Sequence, residues 1–432
     1  MEIDILIMIV CMASIGAAIG TFTGMVPGIH VNTLATLMLA SYVPLSEIIS
    51  LFFPSGYTAI AICCCITSAA IVHSSIDYVP SVFTGAPSPD DAVSMLPGHR
   101  LLNEGKGMSA VRSAAIGSCI GSCVSVLIAI PLQFILMNGL GDYLDSITAL
   151  ILCIAVLLLI INEKDIRRMV LASVVLIISG MLGLACMDLD IPCDGILGNG
   201  TLLFPMLSGL FGVPAMLESL KESRVVEQSD NIPYPVGPLP GIKGVLMGCV
   251  TGWFPGITAT AGTIIGTMFS REKGPEGFIA MTASIGSASS IMMLTTLSVS
   301  GTGRSGAMMV VEEIMGEEII GFLNENFLIL LITAAVGAFL AYGLTIQCGK
   351  LMCSISSKID TSKMNAACLL LIVVLVYLFT GPFGLALLAV SALIGYIPIM
   401  FGIGRVHLTG CLLIPTLLTY IGTREIVLIG LM

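Results

Sequence analysis

Small polar side chains follow two Pro-Gly pairs that lie half a chain apart in this 432-residue sequence. His30, Asn32 and Thr33 come after the first pair, whereas Thr258 and Thr260 come after the second. A helix that starts after such a break exposes backbone N–H groups and the positive end of its dipole, which suit carboxylate or phosphate oxygens. Hydroxyl and amide groups can add neutral donors. These residue types therefore predict a binding site for an anion.

Each of these side chains also has a purely structural interpretation. His30 can donate to an anion or carry a proton, or it can be a buried histidine satisfied by a carbonyl group. The hydroxyl and amide side chains can cap helices or form hydrogen bonds between helices instead of binding a ligand. The residue types alone leave both interpretations open.

The two Pro-Gly pairs belong to a motif that occurs twice. Residues 20–29 and 248–257 are identical at six of ten positions and share the pattern Gly-x-x-Thr-Gly-x-x-Pro-Gly-Ile. Proline removes a backbone donor, and both proline and glycine interrupt helices. Interrupted apolar segments at matching places in two halves indicate a transporter built from internal repeats, with its substrate at the breaks. The alternative is chance recurrence, because membrane helices are rich in glycine.

Another polar segment follows the apolar run 277–299 and contains Thr302 and Arg304. An arginine is costly in lipid, so we expect Arg304 to face a cavity or an acidic residue; the alternative is a loop arginine that reaches the interface. We predict a polar cavity near the membrane midplane, with Gly28 and Gly256 within about 15 Å of each other. Its predicted lining is Gly28, His30, Asn32, Thr33, Gly256, Thr258 and Thr260, completed by Thr302 and Arg304.

The composition is that of a membrane protein. Apolar residues make up 56% of the chain, charged residues only 10%, and the mean hydropathy is +1.05. Soluble globular proteins carry about 25% charged residues. The composition therefore predicts an all-α polytopic membrane protein that contacts the lipid bilayer. The net charge of −10 and the lack of a basic cluster argue against a nucleic-acid partner.

No catalytic motif competes with a transport function. The sequence has no nucleophile elbow, Walker A loop or HExxH motif, so we predict that the protein is not an enzyme. The fourteen cysteines and four histidines lack the spacing of a zinc or iron–sulfur site. We expect no cofactor other than Na⁺ or H⁺ as a coupling ion, and the sequence leaves any metal site undetermined.

Charge asymmetry predicts the topology. Lys and Arg mark cytoplasmic loops, and here they cluster at 100–112, 164–168, 221–243, 271–273, 350–363 and 405. The N-terminus and the loops at 43–47, 139–145, 187–198 and 312–325 lack them and are predicted to be external. Residues 1–227 and 228–432 then form two repeats of inverted topology, with about 10–14 membrane segments in all.

The motif copies themselves have two predicted conformations. Lys243 and Arg271 flank the second copy, and the 27 residues between them are too few for two crossings of about 30 Å. A re-entrant hairpin with its tip at the Pro-Gly pair satisfies both flanks. The alternative is a discontinuous segment, in which two short tilted helices join at each Pro-Gly pair.

Several segments resemble one known family. The pattern Gly-x-x-x-Gly-x-x-Pro-Gly at 20–28 resembles the opening signature of the large membrane subunit of tripartite tricarboxylate transporters. Residues 85–107 and 208–218 resemble its Gly-x-Pro…Gly block and its Gly-Leu-Phe-x-x-x-Glu segment. The run His30-Val31-Asn32-Thr33 replaces a small Gly/Ala run, so the chain looks like a divergent branch, with an archaeal source left open. The resemblance implies ion-coupled uptake of organic acids with a small membrane subunit and a binding protein.

Two transport functions stay open. The first is an ion-coupled secondary transporter of small organic anions of the di- or tricarboxylate kind. The alternative is a translocase of polyprenyl phosphate or a related lipid phosphate, because a chain of inverted repeats with Pro-Gly tips also resembles flippases of that kind. A function of another class is an intramembrane enzyme or a channel. A membrane hydrolase would need paired intramembrane acids or a Ser–His pair, which the sequence does not place convincingly. A homo-oligomer is compatible with either transport function.

Overall fold

The computed structural model describes residues 3–26, 30–84, 95–188, 194–196, 198–199, 201–219, 226–229, 234–269, 272, 274–356 and 361–431. In the first half the helices are α1 Ile3–Met25, α2 Val31–Ala40, α3 Tyr42–Ser50, α4 Thr58–Ile76, α5 Tyr78–Thr84, α6 Met95–Asn103, α7 Gly107–Ile135, α8 Gly141–Ser146, α9 Thr148–Ile161, α10 Ile166–Asp188, α11 Leu203–Leu207 and α12 Val213–Ser219. In the second half they are α13 Leu239–Trp253, α14 Ala259–Phe269, α15 Pro275–Ser300, α16 Gly306–Met315, α17 Glu325–Ser356, α18 Thr361–Phe401, α19 Gly410–Ile421 and α20 Arg424–Leu431.

Short elements complete the chain. A π-helical turn, Ser208–Gly212, joins α11 to α12, and a second one, Leu136–Leu140, joins α7 to α8. The two strands, β1 Asp194–Gly195 and β2 Gly198–Asn199, pair antiparallel in a hairpin of two residues each. Helices therefore carry the whole architecture of the described residues.

Seven helical segments of the described residues are long and apolar enough to cross a membrane. A crossing takes about 20 residues. The seven are Asp4–Met25, Ser55–Phe83, Gly107–Ser146, Ile166–Asp188, Pro275–Ser300, Glu325–Ser356 and Asn365–Phe401. Shorter apolar helices lie at Thr148–Ile161, Leu203–Glu218 and Arg405–Ile421. The predicted fold class, an all-α polytopic membrane protein, is confirmed.

A sharp bend divides α18 near its middle. Gly381 has φ 66° and ψ −161°, which are not helical angles, and proline follows it. Near the bend, Gly195 lies against Phe379. After the end of α18, the Gly404 N–H donates to Glu163 Oε1 at 2.7 Å. Since Glu163 and Gly195 lie beyond opposite ends of α10, the second arm of α18 runs antiparallel to α10.

Both motif copies interrupt a helix. In the second copy α13 ends at Trp253 and α14 begins at Ala259. Between them Phe254 is extended (φ −85°, ψ 114°), and Gly256 adopts a φ of +82°, which favours glycine. In the first copy α1 ends at Met25 and α2 begins at Val31, with 27–29 outside the described ranges. The motif therefore separates two helices in each half.

Glycines one turn apart bring the first helix of each half against a long helix. On α1, Gly16, Gly20 and Gly24 face Cys65, Ala69 and His73 of α4, in that order. On α13, Gly244, Gly248 and Gly252 face Ser284, Ala288 and Met292 of α15, in the same order. A Cβ at any of the six glycines would lie within 3.0 Å of the facing helix. Both pairs of helices therefore run parallel and in very close contact.

The long helices also pair across the halves. α7 runs parallel to α15, with Gly117 facing Ala280 and Gly121 facing Ser284. α17 runs parallel to α4, because Thr333 donates to Cys64 Sγ at 3.2 Å and Thr345 contacts Ser75 at 3.0 Å. The same arrangement of α1, α4 and α17 thus recurs for α13, α15 and α7.

The direction of α4 relative to α15 follows from α7 and α17. Gly349, late in α17, packs against Met108 at the start of α7. The Leu323 N–H, just before α17, donates to Gln133 Oε1 at 3.3 Å near the end of α7. α7 and α17 are therefore antiparallel. Since α7 is parallel to α15 and α17 is parallel to α4, α4 and α15 run in opposite directions.

Candidate functional site

A cavity of about 770 Å³ lies between the two halves of the chain. Its wall is formed by both helix breaks, by α4 and α15, by the segment before α16, and by α11, α19 and the neighbouring turns. Six predicted site residues line it, namely His30, Asn32, Gly256, Thr258, Thr302 and Arg304. The structure therefore brings residues from both motif copies to one place.

The other three predicted residues have different outcomes. Thr260 lies in α14 with 0% of its surface exposed, and it is not part of the cavity wall. Gly28 and the side chain of Thr33 lie outside the described part of the chain. The expected approach of Gly28 to Gly256 thus stays a prediction.

The two antiparallel helices α4 and α15 face the cavity with one stripe each. The stripe of α4 consists of Thr67, Ala70, Ile71 and Ser74, and that of α15 of Gly286, Ser289, Ser290 and Met293. Both stripes have the spacing i, i+3, i+4, i+7 of a single helix face. Small and hydroxyl side chains dominate them, which leaves room for a ligand between two buried helices.

The second break presents its turn to α19. A Cβ at Gly256 would lie 3.2 Å from Thr416 Oγ1 and 3.3 Å from Leu412 O. The hydroxyl of Thr258 accepts a hydrogen bond from the N–H of Ala261 at 3.3 Å. Thr258 therefore caps the start of α14, which is the structural role considered for these hydroxyls, and it also lines the cavity.

The first break is tied to the second half of the chain. His30 precedes α2, and its Nδ1 accepts from the N–H of Asn32 at 3.2 Å. The side-chain oxygen of Asn32 accepts from the N–H of Ala307 at 3.0 Å. A Cβ at Gly306 would lie 2.8 Å from Asn32. The starts of α2 and α16 therefore meet at the cavity.

A second histidine lies beside His30 that the sequence analysis did not select. The rings of His30 and His73 are edge to face, with centroids 4.9 Å apart and an interplanar angle of 61°. His73 is 4% exposed and lines the cavity, and its Nδ1 lies 3.0 Å from Thr23 Oγ1. The available signal was an ionisable side chain within an apolar membrane run, which favours a functional role.

Arg304 satisfies both parts of its prediction, because it lines the cavity and contacts an acid. Its side chain is 7% exposed, and its Nη2 lies 3.4 Å from Asp145 Oδ1. Its Nη1 donates to the hydroxyl of Tyr420 at 2.8 Å. Its Nε is buried without a hydrogen-bond partner in the described residues. Asp145 and Tyr420 thus orient the guanidinium group, and its Nε–H is a donor that a ligand can use.

A second arginine, Arg424, also lines the cavity, and the sequence analysis missed it. Its Nε donates to Asp188 Oδ2 at 2.9 Å, and its Nη2 reaches the other oxygen of the same carboxylate. Its Nη1 donates to Thr419 Oγ1 at 2.9 Å. Since Thr419 and Tyr420 are adjacent, the two arginines converge on the end of α19.

These groups can hold an anion at the cavity wall. The charged side chains of the described lining are Arg304, Arg424, Asp77 and Glu313. Both arginines are paired with carboxylates outside the lining, and a ligand carboxylate or phosphate can compete for the same N–H groups. In the described ranges, no group of three His, Cys, Asp or Glu side chains could hold a metal ion.

Comparison with known proteins identifies a family. A model of the tripartite tricarboxylate transporter TctA family matches residues 10–410. An uncharacterized protein of Methanocaldococcus jannaschii is 28% identical over 302 residues, which cover 69% of this chain and 71% of that protein. No solved structure matches the chain. The family consists of transporters rather than enzymes. Because the match spans most of the chain, the protein belongs to the tripartite tricarboxylate transporter TctA family.

Proposed function

We propose that this protein is an ion-coupled secondary transporter that moves small organic anions through the cavity between its two halves. The observation that carries the proposal is the meeting of both helix breaks with Arg304 and Arg424 in one cavity. Helix starts and guanidinium groups both favour negative charge. A cavity of about 770 Å³ also falls within the range of small-molecule sites, about 300–1,000 Å³.

The two arginine–carboxylate pairs suggest how the cavity captures its substrate. Arg304 pairs with Asp145, and Arg424 pairs with Asp188. Each pair joins a lining residue to a loop segment that the charge pattern predicts to be external. An arriving carboxylate replaces an aspartate on the guanidinium group, so binding and release exchange one ion pair for another. Such an exchange keeps affinity moderate, which transport requires because the substrate must also leave.

Inverted repeats at 1–227 and 228–432 are part of the proposal. The glycine-mediated pair of α1 and α4 has its counterpart in α13 and α15, and α4 and α15 run in opposite directions. α1 and α13 are therefore antiparallel, as two halves related by an axis in the membrane plane require. The two breaks then approach the cavity from opposite faces, as re-entrant or discontinuous segments.

Contacts between loops support the proposed sidedness. Glu163 contacts Gly404 and His407. These residues flank the basic clusters at 164–168 and 405, which are both predicted to be cytoplasmic. Gln228 accepts from the Gly107 N–H at 2.8 Å, which joins two further basic loops. Arg304 contacts Asp145, which lies in a segment predicted to be external. The proposed topology thus places the N-terminus outside.

Accessory subunits follow from the family. The TctA family, which this chain matches, is the large subunit of a tripartite transporter. We propose that a small membrane subunit and a substrate-binding protein work with it, and that Na⁺ or H⁺ drives uptake. The cavity has donors on its wall in the absence of these partners, so anion binding should be measurable on the large subunit alone.

The test is direct binding to the purified protein in nanodiscs. Radiolabelled citrate and succinate are compared with undecaprenyl phosphate, each with and without Na⁺ and at two pH values. Saturable binding of a carboxylate that the unlabelled acid displaces is the expected result. Binding of undecaprenyl phosphate without binding of either carboxylate overturns the proposal in favour of a lipid-phosphate translocase.

A further inference from the structure

We propose that His30 and His73 together bind the coupling proton, so that this transporter is driven by H⁺ rather than Na⁺. The inference rests on the proposed function, because a coupling ion has meaning only for a transported anion. The two rings lie edge to face, 4.9 Å apart between centroids, and both line the cavity. They come from different elements, the start of α2 and the cavity side of α4.

The hydrogen bonds determine which nitrogen takes the proton. Thr23 donates its single hydroxyl proton to Gly20 O at 3.2 Å. With the hydroxyl hydrogen of Thr23 assigned to Gly20 O, the contact of 3.0 Å between Thr23 Oγ1 and His73 Nδ1 has its hydrogen on Nδ1. In the neutral ring, Nε2 of His73 then carries a lone pair. This atom is buried and has no hydrogen-bond partner in the described residues, so it is a base with no acceptor role already filled.

His30 has the opposite tautomer. Its Nδ1 accepts from the N–H of Asn32 at 3.2 Å, so the neutral ring carries its hydrogen on Nε2. The pair thus offers one vacant nitrogen, on His73, beside a ring that can donate. Two imidazolium rings with centroids 4.9 Å apart would repel each other, so the pair takes up one proton.

The surroundings favour a single positive charge at this place. Titratable or charged groups that line the same cavity are Asp77, Tyr78, Glu313, Arg304, Tyr420 and Arg424. Among the other elements packed on this end of α4, α1 from Gly16 onward and α15 from 277 to 300 contain no charged or histidine side chain. α17 reaches it with Thr345, and Arg112 lies on α7. Asp77, one turn after His73, supplies a carboxylate to the lining of the same cavity.

Protonation and anion binding are coupled through the cavity. A proton on the pair adds a positive charge to the wall of the anion site, and a bound anion stabilises that charge. By linkage, each ligand raises the affinity for the other by the same factor. Loss of the proton as pH rises therefore weakens anion binding, and the proton leaves together with the substrate. This coupling gives symport without any sodium site.

The first experiment measures citrate uptake into proteoliposomes in sodium-free choline buffer. An outside-acidic pH gradient should drive accumulation by the wild-type protein, whereas a sodium gradient at equal pH should not. His73→Gln keeps a group that can contact Thr23, and His30→Phe keeps the edge-to-face ring contact. In both variants pH-driven accumulation should fall at least tenfold further than citrate exchange does. His99→Gln, which alters a histidine outside the cavity lining, should accumulate citrate like the wild type.

The second experiment counts protons on the unmodified protein. Isothermal titration with citrate in phosphate and in Tris buffer gives the number of protons taken up on binding. Near neutral pH the wild-type protein should take up more protons than His73→Gln, and the difference removes the contribution of citrate itself. Absence of binding by wild type means that the proposed function fails, and this inference with it. Normal binding with sodium-driven accumulation, or with pH-driven accumulation in both histidine variants, overturns the proton site alone.

Discussion

The side-chain oxygen of Asn32 accepts a hydrogen bond of 3.0 Å from the backbone N–H of Ala307, which lies 275 positions later. Ala307 is 1% exposed and belongs to the first turn of α16. A free N–H at that depth would be costly, because the first N–H groups of a helix lack partners within the helix. The contact therefore joins the helix that follows the first break to the second half of the chain, at the wall of the cavity.

Replacing Asn32 should destabilise the protein only when the new side chain lacks an oxygen that can accept from the Ala307 N–H. Asn32→Leu leaves the Ala307 N–H buried and unsatisfied, which costs about 1–3 kcal/mol. The midpoint of thermal unfolding of the purified protein should fall, whereas Asn138→Leu at an exposed turn should leave it nearly unchanged. Asn32→Asp keeps an acceptor and should unfold near the wild-type temperature, but its charge should weaken citrate binding. Equal midpoints for Asn32→Leu and the wild type would contradict this role.

The turn at Gly256 can be tested against a second glycine with the same backbone conformation. Gly256 has a φ of +82° and faces Thr416, whereas Gly422 has a φ of +75° and open space around its Cβ position. Valine at either position introduces similar backbone strain. Only Gly256→Val should abolish transport, because its side chain intrudes between the break and α19. The measurement is citrate exchange by monodisperse protein. Comparable losses in both variants would mean that strain alone matters.

The repeat extends this prediction to Gly28 in the first motif copy. By the motif, Gly28 corresponds to Gly256, so its replacement should also abolish transport while the protein stays folded. Size-exclusion profiles and exchange rates of the two variants are compared. Normal transport by both Gly28→Val and Gly256→Val would make the motif merely structural.

Arg304 should contribute more to anion binding than its neighbours do. Arg304→Gln removes charge-assisted donors from the cavity and should weaken citrate binding about tenfold or more. Tyr420→Phe removes only a group that orients the guanidinium, so its effect should be smaller. Asp145→Asn frees Arg304 from its competing carboxylate and should strengthen binding. Arg100→Gln, which alters an exposed arginine paired with Glu104, serves as the control in the same binding assay. Binding by Arg304→Gln equal to that of the control would remove Arg304 from the site.

The topology predicts which loops a protease reaches. A cleavage site inserted after Lys164 should be cut only in inside-out vesicles, and one inserted at Gly321 only in right-side-out vesicles. Gly321 follows α16 and has open space around its Cβ position, so an insertion there should be tolerated. Cleavage of both insertions from one side would rule out the proposed sidedness.

Local patterns were sufficient for the class of the protein and for the position of the breaks. Apolar run lengths and low charge predict membrane helices because lipid excludes unsatisfied polar groups. The second Pro-Gly pair predicts its break at the right residues because its effect on the backbone is local, as Gly256 shows with its φ of +82°. Both signals are carried by neighbouring residues, so no tertiary contact is needed to interpret them.

The partners of the site could not be obtained in the same way. His73 meets Thr23 across 50 positions, and Arg424 meets Asp188 across 236. Such contacts depend on how each helix is rotated and packed, which no pattern within one segment determines. Thr260 is a residue that the motif predicted for the site but that packing removes from it. Its side chain on α14 is fully buried and does not line the cavity. The sequence by itself thus determined the membrane class, the repeated break and the family resemblance. Only the tertiary structure decided which side chains share the cavity, because helix faces meet through packing between residues far apart in the chain.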